Sequence, residues 1–262
     1  MKPAKIRTVK MQGGLGNQLF CLGFAHSLAA LTGEPVALDV ASYRADRYGH
    51  HFDLAPLAEQ LDLPLTRRPL LSSRAMTAVM RRIATGPYVG DGVARADTEA
   101  RRRGRYFNGY WQDEAYLSDA FRQIARAFLL ERAGAGPAPG VVIHCRTYKE
   151  EVRPERRAVP DRAWFRRCLH RLEDVGDIAL ISDDPTLALQ RIGDVGRVIR
   201  PVTGGTAWTD MALMLRARAL ILTNSTFSWW GGYCGTAGTI LYPPKDGLFH
   251  YAAPAARFTV VA

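Results

Sequence analysis

A histidine and an arginine two residues apart, His144 and Arg146, follow the apolar run "GVVI". On an extended segment residues two apart face the same way. Histidine can hydrogen-bond a base or a ribose, and arginine can clamp a phosphate with its planar fork. Downstream, "SDDP" ends a second apolar run, "IALIS", and places Asp183 and Asp184 together. One acid there can cap the helix opened by Pro185, and a carboxylate in that place can also accept the N–H groups of guanine. A third run, "ALILT", leads into "NSTFSWWGG". Hydroxyls and backbone N–H groups of Ser225, Thr226 and Phe227 gather there at a helix start, which attracts anions; capping by Ser225 or Thr226 is the structural alternative. Trp229 and Trp230 read as core packing in preference to a sugar platform.

A glycine-rich turn, "GGLGNQ", separates a strand from a helix near the N-terminus. A dinucleotide fingerprint needs G-x-G-x-x-G, and counting from Gly14 the third position is Leu19, so the spacing fails; no Gly-Lys-Ser phosphate loop is present. The turn offers Gly14, Gly16, Asn17 and Gln18. Asn17 either caps the helix or points into a ligand cleft.

The elements that must carry these residues alternate. Strands are expected at 6–11, 36–40 and 106–110, with helices at 18–31 and 118–130, and 76–83 reads as helical. After residue 140 the order is strand 140–145, helix 160–174, strand 178–182, helix 185–192, strand 197–200, helix 210–218, strand 219–223, a helix from about 226 and strand 239–242. Such alternation implies parallel sheets with crossover helices. "AGAGPAPG", 133–140, reads as a linker. The expected architecture is α/β with two Rossmann-like lobes, 1–132 and 141–262, and a cleft between them. Ligands of such sheets bind at the carboxyl ends of the strands, where every candidate above falls.

The chain has 262 residues, 47% hydrophobic and 23% charged, which excludes a disordered chain. Its net charge is +10. Basic clusters at 67–68, 81–82, 101–103 and 156–157 fit either solvated faces or a polyanionic ligand. No zinc-finger spacing or RNA-binding aromatic motif is present, so no nucleic-acid partner is expected. Cys21, Cys145, Cys168 and Cys234 are scattered without a C-x-x-C pair, against a disulfide frame or a zinc site. No signal-like apolar core opens the chain, and no run reaches the ~20 residues needed to span a bilayer. A cytoplasmic protein without stable membrane insertion, metal or cofactor is expected, its oligomeric state open.

In this order, "GGLGNQLF", "GYWQDEAYL", "SDDP" and "NSTFSWWG" resemble the bacterial α-1,2-fucosyltransferases, glycosyltransferase family 11. "HFDLAPL" resembles the segment that family carries after its first α/β unit. "HCR" and "ISDDPTLAL" are more distantly similar to α-1,6- and protein O-fucosyltransferases. The resemblance implies a glycosyltransferase fold of the B type and inverting, metal-independent transfer of fucose from GDP-fucose to a hydroxyl of a glycan or small molecule. It implies an N-terminal acceptor-side lobe and a C-terminal donor lobe. By the same resemblance His144 lies near guanosine, Arg146 on the β-phosphate, and Asp183 or Asp184 on guanine. Ser225, Thr226 and Phe227 line the pyrophosphate site, and Asn17 faces the reacting centre. Arg146 and Asn17 thus carry the catalytic assignment, and Gly14, Gly16 and Gln18 belong to a cleft-lining turn. Where the family reads His-x-Arg-Arg-x-Asp, this chain reads His-Cys-Arg-Thr-Tyr-Lys. That departure leaves two alternatives: a different nucleotide-sugar used for a specialised metabolite, or a nucleotide-sugar-binding protein without turnover. Asp39, Asp113 and Glu150 are the candidates for a general base.

Overall fold

The computed structural model describes residues 6–45, 49–69, 73, 88–91, 98–147, 160–172, 176–223, 225–244 and 252–262. The expected helix at 76–83 and the candidate base Glu150 lie outside them. The chain forms two compact units, Met1–Ala125 and Arg126–Ala262. The glycine- and proline-rich stretch 133–140 falls in the second.

In the N-terminal unit, β1 (Arg7–Lys10), α1 (Leu15–Thr32) and β2 (Val36–Asp39) make the first crossover. Short elements follow: α2 (Ala55–Gln60), β3 (Leu65–Thr66), β4 (Tyr88–Gly90), α3 (Thr98–Arg103) and β5 (Tyr106–Asn108). The strands form a sheet of order β3-β2-β1-β5-β4, every pair parallel. Helix α1 is apolar around most of its circumference; Phe20, Cys21, Leu22 and Phe24 are all buried. It starts three residues earlier than its apolar pattern suggests, because Gly14 at the N-cap contributes no capping side chain and leaves no polar signal.

Helix α4 (Asp119–Ala133) runs across the division between the units. The C-terminal unit then alternates strictly: β6 (Val141–Cys145), α5 (Arg162–His170), β7 (Ile178–Ser182), α6 (Pro185–Ile192), β8 (Ile199–Pro201), α7 (Ala207–Arg216), β9 (Ala219–Leu222), α8 (Thr226–Cys234), β10 (Thr239–Tyr242) and β11 (Thr259–Val260). Its sheet order is β11-β10-β9-β6-β7-β8, again all parallel. Val141, Ile143 and Cys145 of β6 pack with α5 and α6 in one core, which turns Val142 and His144 to the opposite face. Asp161 caps α5 by accepting the Trp164 N–H at 2.8 Å. Helix α7 opens at 207, three residues before its expected start, on a capping box between Thr206 and Thr209.

Candidate active site

Each sheet has a place where its strand order reverses, and there the loops leaving two neighbouring strands part and open a crevice. In the C-terminal unit this is the boundary of β6 and β9, which pair through Val141–Ala219 to His144–Leu222. The sequence-predicted residues converge on it. His144 ends β6 on the face turned away from the α5–α6 core. It is buried, and its ring lies 5.9 Å from that of Phe227. Its Nδ1 is sealed from solvent, and among the described residues it has no hydrogen-bond partner. Burial, and next the Arg146 charge, push its pKa down from 6.5 to about 3, so the imidazole is neutral.

Arg146 sits one step beyond the strand. Its backbone N–H donates to Thr223 Oγ1 at 3.1 Å, and the Thr223 N–H donates to the His144 carbonyl at 3.0 Å. These bonds tie the ends of β6 and β9 together. The Arg146 guanidinium faces Asp183 with Nε 3.5 Å from Oδ2, and the side chains are 41% and 29% exposed. Asp183 Oδ1 accepts both the N–H (2.8 Å) and the hydroxyl (3.0 Å) of Thr147. Thr147 stands where the family motif has its second arginine, and it is buried. Asp183 thus anchors the two residues after β6. Asp184 is the N-cap of α6, accepting the Leu187 N–H at 2.9 Å. The two acids have different structural jobs, and capping accounts for one of them.

Beyond β9, Ser225 occupies the N-cap position of α8, but its side chain makes no capping bond. The N–H groups of the first turn therefore keep their donors directed out of the helix, with the positive end of its dipole. The other end of α8 is closed by two arginines. Arg126 Nη1 donates to the Cys234 carbonyl at 2.8 Å, and Arg257 donates to the carbonyls of Gly235 (3.0 Å) and Ala237 (2.8 Å). Behind the first turn Trp229 and Trp230 are buried. Trp229 stacks on Tyr233 and donates to the Ala253 carbonyl at 2.8 Å, which settles both indoles as core.

In the N-terminal unit the order reverses between β1 and β5. Gly13 adopts φ +77°, and a side-chain carbon there would lie 2.5 Å from Asn17 Nδ2, so this glycine lets the Asn17 amide fold back over the turn. Asn17 is the third residue of α1, not its cap, and its Oδ1 accepts from Gln112 Nε2 at 2.8 Å. Gln18 is fully buried. It donates to the carbonyls of Gly13 (3.1 Å) and His51 (2.6 Å) and accepts from the Asp53 N–H (2.9 Å). Its work is to pin the turn to the 51–53 segment. Gly14 and Gly16 flank it in the same turn, and a Cβ on Gly14 would press the His50 ring at 3.3 Å.

Two base candidates are committed elsewhere. Asp39 is wholly buried, accepting from the N–H groups of Ala41 (3.0 Å) and Arg68 (2.9 Å) and from the Tyr106 hydroxyl (2.8 Å). Asp113 caps a 3₁₀ turn through the Ala115 N–H at 3.0 Å. Gln112, Thr147 and Thr223 escaped the sequence reading, since each acts through a partner distant in sequence.

Residues 100–249 match the family model described as glycosyl transferase family 11. The chain belongs to glycosyl transferase family 11. It is a glycosyltransferase, and its two parallel α/β units are those of the B-type fold. Among solved structures it is similar to the fucosyltransferase NodZ from Bradyrhizobium, at 15% identity and a TM-score of 0.52, over 91% of this chain and 96% of that one. A NodZ α-1,6-fucosyltransferase co-crystallised with GDP matches at 14% identity and a TM-score of 0.50, over 91% and 94%. No curated protein matches the chain. Among the described residues no helix is long and apolar enough to cross a membrane.

Proposed function

We propose that the protein transfers fucose from GDP-fucose to a hydroxyl of a glycan or small-molecule acceptor, with inversion at the anomeric carbon and without a metal. The observation that carries this reading is the crevice at the carboxyl ends of β6 and β9. There Arg146 and the uncapped first turn of α8 supply positive potential beside a neutral, buried His144. As the acceptor oxygen forms its bond to the anomeric carbon, the bond to the GDP oxygen breaks and negative charge grows on the β-phosphate. Arg146 neutralises it together with the N–H groups of Thr226 and Phe227 and the Ser225 hydroxyl. His144 meets the guanosine as a neutral hydrogen-bonding group. The guanine edge falls to the turn of Asp183 and Asp184, whose carboxylates have about four lone-pair sites each.

The co-crystallised NodZ relative binds GDP, which supports the same base here. Thr147, in place of an arginine, is turned into the protein, which leaves Arg146 to serve the phosphate. The N-terminal unit is assigned to the acceptor, with Asn17 at the reacting centre and Gly14, Gly16 and Gln18 shaping the turn that carries it.

The test is a donor screen on purified protein, reading GDP release from each GDP-sugar, with calorimetry of GDP, UDP and dTDP. GDP should bind tightest, GDP-fucose should turn over fastest, and EDTA should leave the rate unchanged. Tighter UDP or dTDP binding, or rescue of a chelated enzyme by manganese or magnesium, would overturn the reading.

A further inference from the structure

An open cavity of about 290 Å³ lies at the amino edge of the C-terminal sheet, where β6, β9 and β10 begin. The strand register sets Val141, Ala219 and Thr239 side by side, so their side chains leave the sheet on one face. Val141 and Ala219 belong to the core beneath α5, and an alanine between two larger residues leaves a hollow there. Leu172, just past α5, closes the apolar side. A side-chain carbon on Gly238, which precedes Thr239, would meet nothing within 4 Å. Backbone bonds fix the rim. The Ala219 N–H donates to the Gly140 carbonyl at 3.0 Å, the Arg218 N–H to the Pro139 carbonyl at 3.1 Å, and the Gly238 N–H to the Arg218 carbonyl at 3.0 Å. The cavity is therefore preformed, and its volume is near the lower end for small-ligand pockets, about 300 Å³.

Two exposed arginines line this cavity, Arg171 and Arg218. Among the described residues neither guanidinium meets an acid or a carbonyl. Other arginines of the same unit are committed: Arg126, Arg216 and Arg257 hold carbonyls, and Arg200 pairs with Asp177. Arg171 is the C-cap of α5, where a cation suits the helix dipole. The carbonyls of Cys168 and Leu169 there are already met by the backbone N–H groups of Arg171 and Leu172, so its side chain is not needed to close the helix. Arg218 precedes a strand and has no helix end to serve. Two positive charges beside one hollow, with ten N–H donors between them, match a dianionic oxyanion; a monocarboxylate would leave one charge unmatched.

We infer that this cavity is a second anion site and that its ligand is a small organic phosphate: the phosphate on the two guanidiniums, a small apolar body on Val141, Leu172 and Ala219. It is separate from the crevice at the carboxyl ends of the same strands. Val141 and His144 are three steps apart along β6, about 10 Å.

The probes are phenyl phosphate, inorganic phosphate and benzoate, titrated into the full chain with excess GDP present to occupy the carboxyl-end crevice. Amide NMR shifts locate the binding. Phenyl phosphate should shift Gly140, Ala219 and Gly238. Inorganic phosphate, without the apolar body, and benzoate, with one charge, should each bind about 10-fold more weakly. Arg171→Gln and Arg218→Gln should each weaken phenyl phosphate by about 10-fold or more, the effect of losing a hydrogen bond to a charged group. Both side chains are exposed, so the melting temperature should hold. The site is overturned if phenyl phosphate at millimolar concentration leaves those three amides unmoved, or if both variants bind it as the wild type does. Benzoate binding as tightly as phenyl phosphate would overturn the phosphate assignment. A fall in melting temperature for Arg171→Gln with binding intact would make that arginine a helix-end residue and remove it from the site.

Discussion

Arg146→Ala separates a catalytic arginine from a structural one, because the structure sets very different magnitudes for the two roles. Its guanidinium approaches Asp183 at 3.5 Å, between side chains 41% and 29% exposed. That distance is long for a charge-assisted hydrogen bond, and an ion pair so open to solvent contributes no more than about 1 kcal/mol. The backbone N–H bond to Thr223 survives any side-chain change. The melting temperature should therefore fall by no more than about 4 °C. Loss of one preorganised donor from a developing oxyanion costs about 10²–10³-fold in kcat, or about 2.7–4 kcal/mol. The ratio is the test. GDP release from GDP-fucose should drop by that factor while GDP affinity changes less, since the charge matters most when the bond breaks. Arg146→Lys should recover only part, keeping the charge without the planar fork. If the melting temperature collapses while the remaining folded enzyme turns over at the wild-type rate, the arginine is structural, and the α8 N-terminus must stabilise the leaving group alone.

The same crevice makes a pH prediction. The folded His144 resists protonation down to about 3, while an unfolded one protonates near 6.5. Between these values the unfolded state binds the extra proton, so stability is full above 6.5 and is lost as pH falls toward 3, by at most about 1.4 kcal/mol per pH unit. Urea midpoints at pH 4.5 and 7 should differ more for wild type than for His144→Gln; equal differences would refute burial of the imidazole. Elsewhere, Arg7 is 3% exposed, with Nε 3.0 Å from Glu34 Oε2 and its fork on the carbonyls of Arg101, Arg102 and Gly104 at the end of α3. Arg7→Met strands those carbonyls and should cost about 2–4 kcal/mol in urea unfolding, with GDP affinity intact. Gly23→Ala would put a methyl 2.4 Å from Leu117 Cδ2 and 2.7 Å from the Phe121 ring; overpacking there should cost about 1–3 kcal/mol by the same assay.

What was legible in the sequence follows from how far each interaction reaches along the chain. Strand–helix alternation is local, so both parallel sheets could be read, and the rule that ligands gather at strand ends singled out His144, Arg146 and Ser225 without a coordinate. The short strands β3, β4 and β11 went unread because two or three residues carry no periodicity. Gln18 looked like a cleft residue and is a buried brace, because its partners at 51 and 53 lie more than thirty residues away. Asp39, offered as a base candidate, is held by the N–H groups of residues 41 and 68 and the hydroxyl of residue 106, an arrangement no local pattern signals. A left-handed tryptophan has no sequence signature at all, since composition at Trp111 argues for an ordinary strand or core residue.

The charge is the last case, and neither sequence-level explanation of it was complete. An excess of arginine suggested solvated faces or a polyanionic ligand. Several arginines do something else: they end helices. Arg7 closes α3, Arg126 and Arg257 close α8, and Arg216 binds the Gly134 carbonyl just past α4. Each puts positive charge where a helix dipole is negative and where carbonyls lack partners. At α8 this has a functional side. With its carboxyl end held by two cations and no capping bond from Ser225 at its amino end, the helix keeps the positive end of its dipole at its first turn. A negatively charged group there matches that polarity. On the donor reading proposed above, the arginines at the far end of α8 leave its amino end to the phosphates, and Arg146 meets them there.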